Sequence, residues 1–309
     1  MNTQSNALPE SFEAQTVAPA ALTAVRSMYW SIRRELWESR SIYIAPLAAA
    51  VVFLLGFLIS MIYLPQKMRA LSALDPAHQR EAIAMPYDMA AGLLMLTAMI
   101  VGMFYCLGAF QGERRDRSIL FWKSLPVSDL TTVLSKASIP FVVLPLLTFA
   151  ITVAMQWIML LLSTAVLWAN GLNAATLWTR LSFFQMSLYL LYHLVTVHAL
   201  WQAPIYGWLL LVSAWARRAA FLWAALPLLA IGAVESLVFN TRHFSAMLEN
   251  RFSGGGAEAL TMPGTFPMNP MTHLTPGTYL SSSGLWIGGI FTAVCIAAAV
   301  RLRRYRGPI

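Results

Sequence analysis

Residues 113–130 read ERRDRSILFWKSLPVSDL and lie between two long apolar runs. The first five, Glu113, Arg114, Arg115, Asp116 and Arg117, are all charged. A charged side chain at the centre of a bilayer costs about 2.5–3.5 kcal/mol on an insertion scale, so the stretch cannot lie in hydrocarbon. Nor does it read as a solvated linker. Ile119, Leu120, Phe121 and Trp122 follow at once, and Ile119, Trp122 and Leu125 recur every third residue, a pattern that wants a surface to pack on. Lys123 adds one more charge before Pro126 breaks the run. Ser128 and Asp129 then stand where a new helix takes its N-cap and its first-turn acid. The reading is a cytoplasmic docking element, loop 111–135, held by membrane spans on both sides.

Composition fits the flanks. Hydrophobic residues make up 58% of the chain and charged ones 11%, against roughly 25% charged in a soluble domain. That excludes two soluble domains and predicts an all-α polytopic membrane protein. A net charge of +8 in a soluble chain would suggest nucleic acid. Here the arginines cluster at span ends, so the expected partner is membrane lipid and not nucleic acid. The two cysteines, Cys106 and Cys295, both fall inside expected spans and have no metal-ligand spacing, which excludes a disulfide framework.

Residues 1–24 are rich in Ala, Ser, Thr, Gln and Pro, and the first basic residue is Arg26; they read as a flexible cytoplasmic tail. Residues 25–40 predict an amphipathic helix, with Val25, Met28, Ile32 and Leu36 on one face and Arg26, Arg33 and Arg34 elsewhere. Trp30 and Trp37 suit the headgroup level, so the helix is expected to lie in the membrane interface. Six spans follow, at about 45–64, 89–110, 137–168, 181–216, 219–239 and 284–300, within one membrane domain covering 25–306. Pro65 is expected to end the first, Asp75-Pro76 to start a helix, and Pro140 and Pro145 to kink the third. The fourth would be about 54 Å long as a straight helix, so it must tilt, protrude or break, most simply at Pro204. The outer loop 240–283 opens with a possible short helix in TRHFSAMLENRF and then becomes Gly- and Pro-rich.

Six crossings place both termini on one side. Arg26, Arg33, Arg34, Arg40, Arg114, Arg115, Arg117, Lys123, Lys136, Arg217, Arg218, Arg301, Arg303, Arg304 and Arg306 fall on that side. Only Lys67, Arg69, Arg80, Arg180, Arg242 and Arg251 fall on the other. Positive charge is retained inside, so both termini and the 113–130 stretch are expected in the cytoplasm.

The chain holds no G-x-x-x-x-G-K-[ST], H-E-x-x-H, G-x-S-x-G or paired C-x-x-C sequence, so no catalytic residue and no bound cofactor is expected. Glu235 reads as the single acid within the spans. It is either a gate or substrate contact, or an acid near enough to the outer end to reach headgroup water. Gln185, Tyr189, Tyr192 and Thr196 form one helical stripe with His193 at its edge, while His198 and Gln202 point to the other side. The stripe reads as a possible lining of a pathway, or as polar packing between helices. Ala98–Gly102, Gly108–Gly112 and Gly284–Gly288 are small-residue steps suited to close helix contact.

The second span followed by GERRDRSILFWKSLPVSDLTTVLSK resembles the first cytoplasmic loop of the permease subunits of type-2 ATP-binding-cassette (ABC) exporters. The layout over residues 25–306 is similar too: a lead-in helix, six spans and a long outer loop before the last. The resemblance implies that this loop is a coupling helix seated in a separate ATPase subunit, which holds the ATP and Mg. Glu113, Arg114, Arg115, Asp116, Arg117 and Lys123 would contact that subunit, with Phe121, Trp122, Leu125 and Pro126 bracing the helix. It further implies a pair of permeases, a homodimer, in a bacterial cytoplasmic (inner) membrane. The family's re-entrant helices in the outer loop are a point of departure, since this loop is Pro-rich. A self-sufficient carrier or channel and a non-transporting membrane scaffold are the alternatives.

Overall fold

The computed structural model describes residues 20–71, 73, 75–112, 128–252 and 276–305, and among them no strand occurs. The helices are α1 (Ala20–Glu38), α2 (Ser41–Ser60), α3 (Leu64–Leu71), α4 (Pro76–Gly108), α5 (Asp129–Ser138), α6 (Leu144–Ala169), α7 (Ala175–Arg180), α8 (Phe183–His193), α9 (Ala203–Trp215), α10 (Ala220–Val234), α11 (His243–Phe252), α12 (Pro276–Ser281) and α13 (Ser283–Tyr305). Six stretches are long and apolar enough to cross a membrane: Ser41–Leu71, Pro76–Gly108, Asp129–Ala169, Phe183–Trp201, Ala220–Phe239 and Ser283–Tyr305. The protein has the make-up of an integral membrane protein.

Several span ends differ from the sequence expectation, each for a backbone reason. Pro65 does not stop the first span. A tight 3-10 turn at Met61–Tyr63 precedes it, and Pro65 falls in the first turn of α3, where its missing N–H costs nothing. The second helix begins at Pro76, behind an extended Asp75, and carries Pro86 inside it. Glu81 and Asp88 therefore fall within this helix, so Glu235 is not the single acid of the apolar segments. Ser128 caps α5 as expected, its Oγ accepting the Thr131 N–H at 3.0 Å. Pro140 meets a π-helical turn at Ile139–Val143, which absorbs the missing donor without ending the span.

The fourth apolar segment breaks where Pro204 predicts. A π-helical stretch, Leu194–Trp201, follows α8, and a turn at Gln202 (φ −83°, ψ −1°) separates it from α9. α9 packs closely along α13. A side chain at Gly207 would meet Thr292 Cα at 3.1 Å, so the glycine is what lets these two backbones approach. Between apolar helices in lipid there is little hydrophobic drive, and such close van der Waals contact is what holds them. Two large clusters make up most of the interior among the described residues. One joins Ile42, Tyr105, Val133, Leu144, Tyr206, Leu210 and Ala299; the other joins Phe57, Met61, Tyr87, Leu94, Met159, Leu160 and Leu167.

α10 runs on through a π turn to Phe239, and Asn240 reverses the chain in the left-handed region at φ 50°, a conformation Asn tolerates well. α11 then returns alongside it, with Ser245 Oγ 3.1 Å from the point where Gly232 would carry a Cβ. The short helix expected in TRHFSAMLENRF is thus the returning arm of a hairpin.

Candidate functional site

Two polar assemblies stand out, one at the end of the bundle next to residues 113–127 and one along the broken fourth segment. The docking residues Glu113, Arg114, Arg115, Asp116, Arg117, Phe121, Trp122, Lys123, Leu125 and Pro126 lie outside the described residues, as do residues 1–19, 253–275 and Arg306. What can be read is how the two ends of that stretch are held.

At its upstream end, Phe110 N and Gln111 N both donate to Ser213 Oγ of α9, at 3.0 and 3.3 Å. At its downstream end, Asp129 accepts from Arg303 Nε of α13 at 3.1 Å. Two turns further along, Lys136 donates to both carboxylate oxygens of Glu35 on α1, at 2.9 and 3.0 Å. Tyr105 Oη of α4 donates to the same carboxylate at 2.8 Å, as does Arg34 at 2.7 Å. Lys136 also lies 5.6 Å from the centre of the Phe110 ring. Glu35 and Lys136 are 1% and 2% exposed, so this is a buried ion pair with its remaining lone pairs satisfied. Burial alone would raise the Glu35 carboxyl, but the Lys136 charge and hydrogen bond, helped by Arg34, hold it below its ordinary value.

α1 accordingly meets the bundle through Ile32, Leu36 and Glu35. Val25, placed on the apolar face by its spacing, is 68% exposed, because the contact turns on the ion pair as well as on the apolar stripe.

The second assembly contains the stripe in part. Tyr189 Oη lies 3.4 Å from His193 Nε2 with the rings 4.3 Å apart, and Tyr192 meets His193 edge-on. His193 is buried, and its Nδ1 has no hydrogen-bond partner among the described residues. Thr196 is less a lining group than a brace: its hydroxyl donates back to the Tyr192 carbonyl at 2.7 Å. Gln185 is bonded to Ser182 at the start of α8 and takes no part in the Tyr–His group.

Glu235 sits apart from the stripe. It accepts from Phe244 N at 2.9 Å and from Thr241 Oγ1 at 3.1 Å, capping the start of the returning arm α11. Its role in the fold is to close the hairpin.

Sequence reading missed the opposite side of the fourth segment as a unit. Tyr206 Oη lies 3.3 Å from His198 Nε2 and donates to Gln202 Oε1 at 3.1 Å, and all three residues are buried. Their four-residue spacing was visible, but Tyr206 lies beyond Pro204, where a single helical stripe could not be assumed to continue.

Irregular backbone in a membrane-spanning segment leaves carbonyls to be satisfied. Ile205 N of α9 turns to the Gln202 carbonyl, and the segment before α13 supplies two more donors. Arg251 of α11 donates to the Trp201 carbonyl at 3.0 Å while its guanidinium lies 4.2 Å from the Trp201 ring centre. Arg251 also bonds the Gly284 carbonyl of α13. Tyr279 of α12 donates to the Thr196 carbonyl at 2.6 Å. Gly288 leaves the room for this: a Cβ there would fall 2.8 Å from Pro204 and 2.9 Å from Arg251.

Helix rise gives the depth of this seam. Met99, the sulfur partner of Gln202, is about 9 Å along α4 from Tyr105, and Gly284 is about 28 Å along α13 from Arg303. Gly284 is the second residue of α13, so the Arg251 seam lies toward the end of the bundle far from Arg303, where α11 and α12 both meet the fourth segment.

Compared with family models, curated proteins and solved structures, the chain matches none of them significantly.

Proposed function

We propose that the chain is the permease subunit of an ABC export system, carrying no nucleotide chemistry of its own. In this reading a separate ATPase subunit holds the ATP and Mg and docks on residues 113–126, with Glu113, Arg114, Arg115, Asp116, Arg117 and Lys123 at the contact. The observation that carries the reading is the anchoring of that stretch at both ends. Ser213 fixes Phe110 and Gln111; Arg303 and Glu35 fix α5. A displacement of the stretch is thereby delivered to α1, α4, α5, α9 and α13 together, which is what a lever driven by a partner needs.

The same reading places α1 in the membrane interface and both termini in the cytoplasm, in the inner membrane of a bacterium. It assigns a second copy of the chain as a partner. The span Ala220–Phe239 suits that assignment, since only 6% of its apolar window is covered by the rest of the chain. The path for cargo would run beside the fourth segment, where Tyr189, Tyr192, His193, His198, Gln202 and Tyr206 bring polar groups into the bundle.

Exchanging both Arg114 and Arg115 for Glu should abolish stimulation of the partner ATPase while leaving membrane insertion intact. Undiminished stimulation would count against docking at this stretch.

A further inference from the structure

The face of α1 turned away from Glu35 carries a second arrangement. Arg33 is exposed and lies over two indole rings at once, its guanidinium carbon 5.1 Å from the centre of Trp30 and 5.0 Å from that of Trp37. The three residues are three and four apart, so they share one side of the helix. The carboxylates of α1 are engaged elsewhere: Glu35 with Lys136 and Arg34, and Glu38 at 3.8 Å from Arg34. Among the described residues Arg33 makes no ion pair.

Rings on either side hold a guanidinium in place without neutralising it, and they leave its N–H edge free to face outward. That planar fork fits a phosphate group through paired hydrogen bonds, which an ammonium cannot reproduce. Indoles are at home at the level of lipid headgroups, and the anion abundant at that level is the lipid phosphodiester.

We propose that Trp30, Arg33 and Trp37 form a seat for the phosphate of an anionic phospholipid; the inference rests on the interfacial placement of α1. Because Glu35 ties the same helix to Lys136 and Tyr105, a lipid held on the outer side of α1 fixes the helix against the spans that flank residues 113–127. Lipid composition then tunes how firmly that stretch is anchored.

The test uses the full chain in detergent, titrated with dioctanoyl phosphatidylglycerol and, separately, dioctanoyl phosphatidylcholine, with bound lipid counted by native mass spectrometry. Phosphatidylglycerol should bind more tightly. Arg33→Lys, which loses the paired hydrogen bonds of the fork, and Trp37→Ala, which loses one of the rings that hold it, should each weaken binding by about tenfold, whereas Arg40→Lys should leave it unchanged. Wild-type affinity in Arg33→Lys, or equal affinity for the two lipids, would overturn the seat. Retained lipid binding in Arg33→Lys together with loss of ATPase capture would overturn it in favour of a protein partner. A spin label at Tyr29→Cys in phosphatidylglycerol-containing bilayers separates the two claims. A wholly aqueous label would overturn the interfacial placement and the seat with it; an interfacial label with unaltered Arg33→Lys binding would overturn the seat alone.

Discussion

Glu35 and Lys136 are 101 residues apart in sequence and share one buried ion pair. Breaking a buried pair typically costs about 3–5 kcal/mol, a large share of the roughly 5–15 kcal/mol that holds a whole domain folded, and without Lys136 the buried Glu35 carboxylate keeps Arg34 and Tyr105 but loses its main counter-charge. Lys136→Met should therefore lower the melting temperature of the solubilised protein sharply, and Glu35→Leu in the same chain should recover much of the loss. The pH dependence has a definite sign. The Glu35 carboxyl is held below its ordinary value of 4.5 in the folded chain, so its contribution is fully present above that value and disappears as pH falls through the lower, folded one. Wild type should exceed Glu35→Gln in stability at neutral pH, and melting curves on acidification below 4.5 should converge. None of this pairing was legible in sequence, because an apolar stripe at helical spacing says nothing about which distant cation will meet the acid beside it. The cap at Ser128 was legible, since its partner is only three residues away.

Elements divide along the same line. Long apolar runs announce spans directly, and the six expected ones are present. Their ends were misjudged at Pro65 and Met89 because proline is harmless in a first turn and because polar residues can extend a helix beyond its apolar part. The break at Gln202 was signalled by Pro204; the π turns that accompany it were not, since hydrogen-bond register leaves no mark in composition. The α9–α13 contact gives a direct test. Gly207→Val would force a branched side chain against Thr292 Cα, a backbone atom that cannot yield, and should destabilise the protein by about 1–3 kcal/mol by thermal denaturation. Ser213→Ala tests the anchor. It strips the acceptor from the buried Phe110 N and the part-buried Gln111 N, at a cost of about 1–3 kcal/mol, and on the proposed function should uncouple ATPase stimulation from transport while the chain still inserts.

At the scale of the whole molecule, Ser213, Arg303, Asp129, Lys136 and Glu35 gather the charged and polar anchors at one end of the bundle, and Arg251 and Tyr279 tie α11 and α12 to the kinked fourth segment. Shared-end geometry follows from the structure; which side of the membrane that end faces follows only from the distribution of Lys and Arg, and the proposed docking of an ATPase depends on it. Cys106 and Cys295 are both buried, so a single cysteine introduced at Lys123 can report alone. The direct measurement is labelling of Lys123→Cys by a membrane-impermeant maleimide in right-side-out and inverted membrane vesicles. Labelling confined to inverted vesicles is the predicted result, and labelling from the outside would contradict the account.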